Sequence, residues 1–257
     1  MMLNNYECDS VAEFYNLISD SILGVETIDS RNGPAKEILC PNILIKNPRN
    51  RMAFNPIRKW NLSYAMIEAI MLFQNVNDLK FFSYQNKNMV NYSDDGLTLY
   101  GAYGSRVAQY IPDIINKLIN DKNSRQASIT VLQNYDVAKN TKDMPCTLSL
   151  QFLVRDNQLN MIVNMRSNDI FLGLPYDIFM FTTMQEIMFN TLKDFISGLK
   201  LGWYLHRPAS LHLYQDNFDI FERTSKSFKN IEISFPETYL EWMSYGKLYI
   251  SAIKNKE

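Results

Sequence analysis

The sequence has few of the residues that build disulfide frameworks and metal centres. Among its 257 residues it has 3 cysteines, Cys8, Cys40 and Cys146, and 2 histidines, His206 and His212. The cysteines are odd in number and widely spaced and form no CxxC pair, which argues against disulfides and against zinc. We therefore predict a protein of a reducing compartment, without a metal site.

The sequence also lacks a strong excess of charge. It has 26 basic and 27 acidic side chains, which gives a net charge of −1. Without a large basic field, the sequence gives no sign of nucleic-acid binding. A free nucleotide is compatible with this charge, since it needs only a local cluster of arginines.

A secretory signal and a membrane-spanning stretch are missing as well. Residues 1–10 have no basic start followed by an apolar core, so we expect no signal peptide. The longest apolar stretch, residues 170–196, is interrupted by the charged side chains of Asp177, Glu186, Lys193 and Asp194. This stretch is typical of a buried helix, and we expect no membrane partner.

What is present is a series of helix and strand patterns without internal repeats or a Gly/Ser-rich linker. We therefore predict a single domain over residues 1–257. A capping box at residues 10–13 opens a helix. The other predicted elements are, in chain order, a loop at 26–38, a strand at 43–45, helices at 62–75 and Ile111–Asn120, and a strand at Ser210–Tyr214.

The clearest local pattern is a β-hairpin. Two strand-length runs of apolar and β-branched residues, 147–154 and 159–165, are separated by the polar residues 155–158. Antiparallel pairing would bring Cys146, at the head of the first strand, to the same sheet edge as Arg166 and Ser167 at the end of the second.

The chemistry of this edge has two interpretations. A thiol near a guanidinium has a lowered pKa and is a candidate nucleophile, and the guanidinium with a neighbouring hydroxyl is a candidate phosphate site. For a lone Cys and Arg, the favoured interpretation is a small buried Cys146 and an Arg166 that serves as an ion-pair partner at the strand end.

The amino-acid sequences of two segments decide between these interpretations. MPC at residues 144–146 and RSNDIFLGLPYDI at residues 166–178 closely resemble the thymidylate synthase family, whose active-site Cys follows a Pro and whose RS-D-FLGLPFN segment binds phosphate, folate and pyrimidine. The resemblance implies an α/β (α+β) domain with a large, mixed, mostly antiparallel sheet covered by helices. It also implies a homodimer, a pyrimidine nucleotide monophosphate as substrate and 5,10-methylenetetrahydrofolate as one-carbon donor.

Two positions resemble the deoxycytidylate hydroxymethylases of that family more than its synthases. Residue 147 is Thr where the synthases carry His, and residue 177 is Asp where they carry Asn. An Asn amide suits the N3 hydrogen and O4 of uracil. Cytosine presents an N3 acceptor and an amine donor, and a carboxyl group can accept from the amine and, when protonated, donate to N3. Asp177 therefore points to cytosine.

An acidic residue in an apolar helix is a further candidate catalytic residue. Glu68 lies in the apolar segment 62–75, where a carboxyl group must be paired, protonated or functional. Its context, IEAIMLF, resembles the family's ELLWFL. The resemblance therefore implies that Glu68 is a general acid/base that works with Cys146 as nucleophile and Asp177 as the catalytic group on the base.

The same resemblance implies the binding residues. The nucleotide contacts would be Arg31, Tyr103, Arg125, Gln126, Arg166, Ser167, Asn168, Asp177, His212 and Tyr214, and the folate contacts would be Asp169, Leu172, Gly173 and Tyr176. Arg125 would reach the phosphate of a neighbouring subunit, and His212 and Tyr214 would hold the 3′-hydroxyl of the sugar. Gln126 departs from the family, which has a second Arg there, and so removes one cationic contact.

Together with the choice of base at Asp177, the resemblance implies C5-hydroxymethylation of dCMP or CMP in the cytoplasm of a bacterium or a virus-infected host. The Cys146 thiolate adds to C6 of the base, and water rather than hydride completes the exocyclic carbon, so tetrahydrofolate leaves unoxidised. A thymidylate synthase acting on dUMP is the alternative within the family. A weakened homologue that only binds nucleotide or RNA is a third hypothesis, supported by Gln126 and by a tail without the family's apolar ending.

Overall fold

The computed structural model describes residues 4–255, in which short strands alternate with helices. The strands are β1 Asn5–Cys8, β2 Thr27–Ile28, β3 Ala35–Leu39, β4 Asn42–Ile45, β5 Met52–Phe54, β6 Ser128–Thr130, β7 Thr147–Arg155, β8 Gln158–Met165, β9 Asn168–Asp169, β10 Lys200–Pro208, β11 Ser210–Tyr214 and β12 Lys229–Ile231. The helices are α1 Val11–Gly24, α2 Leu62–Met71, α3 Leu79–Ser83, α4 Tyr103–Val107, α5 Ile111–Asn120, α6 Leu174–Leu192, α7 Phe218–Thr224 and α8 Tyr239–Lys254. Short 3-10 helices lie at Lys87–Tyr92, Ala108–Tyr110, Asn134–Ala138 and Gln215–Asn217.

The main sheet has the strand order β1-β4-β10-β8-β7-β6. The predicted hairpin is confirmed, because β7 and β8 are antiparallel and joined by a turn at Asp156 and Asn157, whose φ angles are 52° and 55°. Left-handed conformations at both turn residues suit Asp and Asn and are typical of a type I′ hairpin turn. β10 is parallel to β8 and antiparallel to β4, so the sheet is mixed and the predicted α+β class is confirmed.

A second sheet, in the order β2-β3-β11-β9, receives two chain segments from the first. The chain leaves β8 at Met165 and enters β9 at Asn168, and it leaves β10 at Pro208 and enters β11 at Ser210. A hydrogen bond of 2.8 Å from Ala209 N to Met165 O ties these segments together. We call this place, residues 165–168 with residues 208–210, the sheet crossing.

Helix α6 packs against the main sheet and is buried on nearly every side. A helix that is apolar all round needs such cover. Pro175 is the second residue of the helix, where its missing N–H costs no hydrogen bond. Asp177 follows in the first turn, and its carboxyl group contacts Asn168 at the sheet crossing. None of the helices formed by residues 4–255 is long and apolar enough to span a membrane.

Helix α2 is shorter than predicted. It ends at Met71 instead of residue 75, because the backbone of Gly104 packs against the carbonyl groups of Met71 and Gln74. A Cβ atom at Gly104 would lie 2.2 Å from Met71 O, so only glycine allows this approach. The close packing holds Tyr103, the preceding residue, at the end of α2.

Two further predictions at the N-terminal end are wrong in part. The loop predicted at 26–38 contains the paired strands β2 and β3. Ser10 caps α1 by accepting from Glu13 N, but the Glu13 carboxyl accepts from Asp9 N instead of completing the capping box at Ser10. The single domain predicted over residues 1–257 includes five terminal residues outside the described range 4–255, and its extent stays a prediction.

One face of the main sheet carries a row of partly exposed side chains. The row follows the strand pairing from β4 to β6 and consists of Leu44, Leu205, Ile162, Gln151 and Ser128. The residues next to them in each strand point to the opposite face and are buried. We call the side with the exposed row the open face. Arg125 is exposed beside it, and its carbonyl oxygen accepts a hydrogen bond of 2.9 Å from the Gln151 side chain.

Candidate active site

A cleft opens at the sheet crossing and gathers most of the predicted site residues. Its walls include Arg31, Tyr103, Cys146, Arg166, Ser167, Asn168, Asp169, Leu172, Gly173, Asp177, His212 and Tyr214. An adjoining cavity, which we call the apolar chamber, is lined by Glu68 and by Met71, Leu72, Phe82, Met89 and Leu99. Both cavities are bordered by Cys146 and Asp177, so the three predicted catalytic residues lie around two adjoining cavities.

Cys146 lies at the head of β7, beside Arg166. Arg166 N donates to Cys146 O at 2.8 Å, which fixes the two residues next to each other. The predicted lowering of the thiol pKa is wrong in its net effect, because burial raises the pKa of Cys146 and outweighs the opposing influence of Arg166. The thiol is therefore protonated in the free protein at neutral pH, and a base must take its proton before it can attack.

Arg166 is held in place by the backbone of the segment before Cys146. Its Nε donates to Pro145 O and its Nη2 donates to Met144 O, both at 2.9 Å. Within residues 4–255 the guanidinium forms no ion pair, so the interpretation of Arg166 as an ion-pair partner fails. Arg31 and Ser167 share the cleft walls with this fixed cation. The arrangement suits a phosphate, which needs several donors around one anion.

Two acids reach the same space from helices. Burial raises the pKa of Asp177 to about 7 and that of Glu68 to about 8. Asp177 Oδ2 accepts a hydrogen bond of 2.8 Å from Asn168 Nδ2, and Glu68 Oε1 accepts one of 2.7 Å from the Tyr64 hydroxyl. Both carboxyl groups therefore hold a proton near neutral pH and can exchange it with a ligand.

The raised pKa of Glu68 makes a prediction for stability. A group with a pKa of about 8 in the folded protein and about 4.5 when unfolded stabilises the fold fully below pH 4.5, and this contribution is lost as the pH rises through 8. Asp177 acts in the same direction. We expect the melting temperature of the wild type to fall between pH 5 and pH 8. The melting temperature of Glu68→Gln should fall less over this range and should be higher than that of the wild type at pH 8, by roughly 5 °C.

Thermal unfolding of the two proteins at pH 5, 6.5 and 8 checks this expectation. Glu222→Gln is the matched control, because it removes the same charge from an exposed position of α7. If the melting temperature of Glu68→Gln depended on pH as steeply as that of the wild type, ionisation of Glu68 would not destabilise the fold. Glu68 would then not hold a proton in the free protein at neutral pH.

Comparison with known proteins agrees with this geometry. The model of the family described as thymidylate synthase matches residues 47–251. The chain belongs to the thymidylate synthase family. Members of the thymidylate synthase family use methylenetetrahydrofolate as one-carbon donor.

Similar proteins of this family include phage enzymes. A deoxyuridylate hydroxymethyltransferase of Bacillus phage SP01 is 30% identical over 224 residues, which are 80% of this chain and 57% of that protein. One of Pseudomonas phage M6 is 30% identical over 199 residues, 73% of this chain and 55% of that protein. Thymidylate synthase 1 of Bacillus spizizenii is 29% identical over 116 residues, 45% of this chain and 39% of that protein. The chain thus spans about half the length of the hydroxymethyltransferases that it matches.

The walls of the apolar chamber are suited to an aromatic ligand, and the thymidylate synthase family uses a folate. Its apolar walls offer a flat ring system a surface to pack on beside Cys146. Leu172, predicted to contact folate, is 53% exposed at the cleft. The Asp169 carboxylate is hydrogen-bonded within its own loop, because its Oδ1 accepts from Phe171 N at 2.7 Å and from Leu172 N at 2.9 Å. This loop forms part of the cleft wall.

Tyr176 lies apart from the other predicted folate contacts. It is not among the residues that line the cleft or the chamber. Its ring stacks on Trp60 with centroids 5.6 Å apart, and its hydroxyl oxygen accepts from Asn61 N at 3.0 Å. In the described structure Tyr176 supports the start of α2, and its predicted contact with folate stays a prediction.

The predicted sugar contacts lie on the second sheet. His212 and Tyr214 point to the same side of β11, with ring centroids 4.8 Å apart, and Tyr214 accepts a hydrogen bond of 3.3 Å from the Asn32 side chain. His212 also pairs with Asp169 across the β11–β9 ladder. Both rings line the cleft on the side away from the apolar chamber.

Arg125 and Gln126 lie outside the cleft and the apolar chamber in the described chain. Neither lines the cleft, and both are exposed beside the open face. Gln126 Oε1 accepts a hydrogen bond of 3.3 Å from Lys117 Nζ on α5. A contact of Arg125 with a nucleotide phosphate therefore requires a second copy of the chain.

Two residues at the site were missed from the sequence. Asp143 lines both cavities, its Oδ2 accepts a hydrogen bond of 2.8 Å from Gly101 N, and burial raises its pKa to about 6. Tyr64 donates to Glu68 from one helical turn earlier. Spacing could have found both, since Asp143 is three residues before the nucleophile and Tyr64 is four residues before the acid on one helix.

Proposed function

We propose that this chain transfers a hydroxymethyl group to C5 of a cytidine nucleotide, dCMP or CMP. The observation that carries the proposal is Asp177, a carboxyl group in the same cleft as Cys146 whose pKa is raised to about 7 by desolvation. Cytosine N3 must gain a proton as a nucleophile adds to the ring. A carboxylic acid can give N3 that proton and accept from the amine, whereas an amide cannot release a proton.

In this proposal each residue has a defined task. Arg166, Ser167 and Arg31 bind the phosphate, and His212 and Tyr214 bind the sugar. The Cys146 thiolate adds to C6, which makes C5 nucleophilic, while Asp177 donates to N3 and so stabilises the adduct. Glu68, held by Tyr64, exchanges protons at the pyrimidine. Methylenetetrahydrofolate would supply the one-carbon unit and leave as tetrahydrofolate, and water would supply the hydroxyl oxygen. Loss of the C5 proton and elimination of Cys146 from C6 would then restore the ring.

A second candidate is hydroxymethylation of dUMP. It is favoured by the phage relatives, whose names give deoxyuridylate as their substrate. The two candidates share the nucleophile and the one-carbon donor and differ only in the base. The proposal for cytosine therefore depends on Asp177 and on the groups that orient it.

The two candidates and a thymidylate synthase give different products. The protein is incubated with methylenetetrahydrofolate and dCMP, CMP or dUMP, nucleotide products are identified by mass, and dihydrofolate is followed by absorbance. We expect 5-hydroxymethylcytidylate without dihydrofolate. Turnover of dUMP with inert dCMP and CMP would contradict the cytosine proposal, and formation of dihydrofolate would identify a synthase.

We also propose that the enzyme is a homodimer that joins two open faces. The supporting observations are the apolar side chains of Leu44, Leu205 and Ile162 on that face and the exposed Arg125 beside it. A contiguous apolar surface of this kind is typical of an interface. Arg125 would then reach the phosphate in the partner's cleft, and Gln126 would supply an amide donor in place of a second cation.

Sedimentation velocity measures the mass of the particle directly. We expect twice the 30.0 kDa of the chain. Ile162→Glu, which puts a charge in the centre of the open face, should shift the particle to the monomer, whereas Glu222→Gln on the outer surface should leave it unchanged. A monomeric wild type would contradict the proposal.

A further inference from the structure

Asp177 accepts the last hydrogen bond in a chain of hydrogen bonds that runs from Tyr204 through the sheet crossing. The Tyr204 hydroxyl is 2.8 Å from His206 Nδ1, and His206 Nε2 is 2.8 Å from Asn168 Oδ1. Asn168 Nδ2 donates to Asp177 Oδ2 at 2.8 Å. Tyr204 and His206 have no exposed surface and Asn168 is 4% exposed, so water does not compete for these groups.

The direction of this chain follows from its first member. Within residues 4–255 the buried Tyr204 hydroxyl has one hydrogen-bond partner, His206 Nδ1, so its O–H must donate there or remain unpaired. Burial lowers the pKa of His206 to about 3, so the ring is neutral and carries a single N–H. With Nδ1 as acceptor, that N–H is on Nε2 and donates to Asn168 Oδ1.

The same logic fixes the two oxygens of Asp177. Asn168 must present its amide hydrogen to Oδ2, which can then only accept. A proton held by Asp177 is therefore on Oδ1. The opposite direction would require Asp177 to donate to Asn168 and would leave the Tyr204 hydroxyl hydrogen buried without an acceptor.

We infer that the Tyr204–His206–Asn168 chain is a specificity-determining device that orients Asp177 for cytosine. Resting on the proposed function, the inference assigns Oδ1–H to cytosine N3 and Oδ2 to the cytosine amine. Uracil presents the reverse pattern and needs a donor at the Oδ2 position, which Asn168 forbids. A protonated carboxyl and an amide both offer one donor and one acceptor, so the base is selected by which atom donates.

The direction of the chain is measured without substrate. The protein has 2 histidines, so ¹⁵N spectra of histidine-labelled protein at pH 7 contain two rings, and His212→Asn identifies the signals of His206. We expect a neutral His206 with the proton on Nε2. Tyr204→Phe should give a mixture of tautomers, whereas Tyr15→Phe, which removes an equally buried hydroxyl bonded to Ile170 O, should leave the spectrum of His206 unchanged.

Exchanging the side chains of Asn168 and Asp177 tests whether the hydrogen-bond chain determines which base is bound. In the double variant Asn168→Asp/Asp177→Asn, residue 168 can only accept, so the amide at 177 must present its NH₂ group to it and turn its oxygen towards N3. We expect the ratio of dCMP to dUMP dissociation constants to invert in favour of dUMP, by at least about a hundredfold relative to wild type. The single variant Asp177→Asn should keep its preference for dCMP, because Asn168 still orients it.

The outcomes separate this inference from the proposed function. A proton on Nδ1, an imidazolium, or inversion by the single Asp177→Asn variant would overturn the directional chain. Nucleotide binding is titrated without folate, so it is measured even in a protein that does not turn over. A wild type that prefers dUMP while His206 carries its proton on Nε2 would contradict the proposed substrate and the assigned role of the chain, but not its direction.

Discussion

Replacing Asp177 by Asn is expected to lower kcat for cytidylate by about 10²- to 10⁴-fold, the range associated with loss of a general acid. The amide keeps the size of the side chain, and its oxygen still accepts from Asn168. It can donate a hydrogen bond to N3 but cannot transfer a proton to N3 as the adduct forms. We therefore expect the dissociation constant for dCMP to change by less than about tenfold while turnover collapses.

Steady-state turnover and equilibrium titration with dCMP separate these two effects. Asp143→Asn is the matched control, because it makes the same change at a second acid that lines the cleft. If Asp177→Asn weakened binding and kcat together, Asp177 would position the base without supplying a proton. If it left kcat unchanged, the cytosine proposal would lose the observation on which it rests.

Cys146→Ala is expected to abolish turnover, with a loss on the order of 10⁴-fold or more, because Cys146 is the only thiol among the described residues that line the cleft. The thiol is half-buried beside Arg166 at the head of β7, and alanine fits the same space, so the fold should be retained. A 5-fluorocytidylate cannot lose its C5 substituent as a proton. With methylenetetrahydrofolate it should therefore trap the wild type as a covalent complex and leave the variant unmodified.

Intact-protein mass and turnover of dCMP are measured on the same samples. Cys40→Ala is the control, because Cys40 is an exposed thiol outside the cleft, and it should behave as the wild type. A covalent complex that survived in Cys146→Ala, or that was lost in Cys40→Ala, would place the nucleophile elsewhere.

The sequence predicts the parts of the site that depend on local pattern and on strand geometry. Alternating runs around a polar turn predict the hairpin, and antiparallel pairing then requires Cys146 and Arg166 to be neighbours, as they are. The position of Asp177 follows in the same way, since Pro175 marks the first turn of α6. The choice between catalysis and simple packing came from the resemblance of residues 144–146 and 166–178 to a family.

Features that depend on burial and on distant contacts were not accessible from the sequence. The pKa of Cys146 is raised because the desolvation of a thiol depends on everything packed around it, whereas the sequence reveals only the nearby Arg166. Helix α2 stops early because Gly104, more than thirty residues later, packs on its end. The contact of His206 with Asn168 requires the parallel pairing of β8 and β10, which no local pattern specifies.

In the proposed function, nucleotide recognition is divided between the two sheets that meet at the sheet crossing. Cys146 belongs to the main sheet, whereas His212 and Tyr214 belong to the second sheet. A small tilt of one sheet against the other would change the distance between the bound sugar and the Cys146 sulfur in the proposed complex. Each sheet would itself stay unchanged. If the proposed roles hold, the choice of sugar could therefore change independently of the reaction at Cys146.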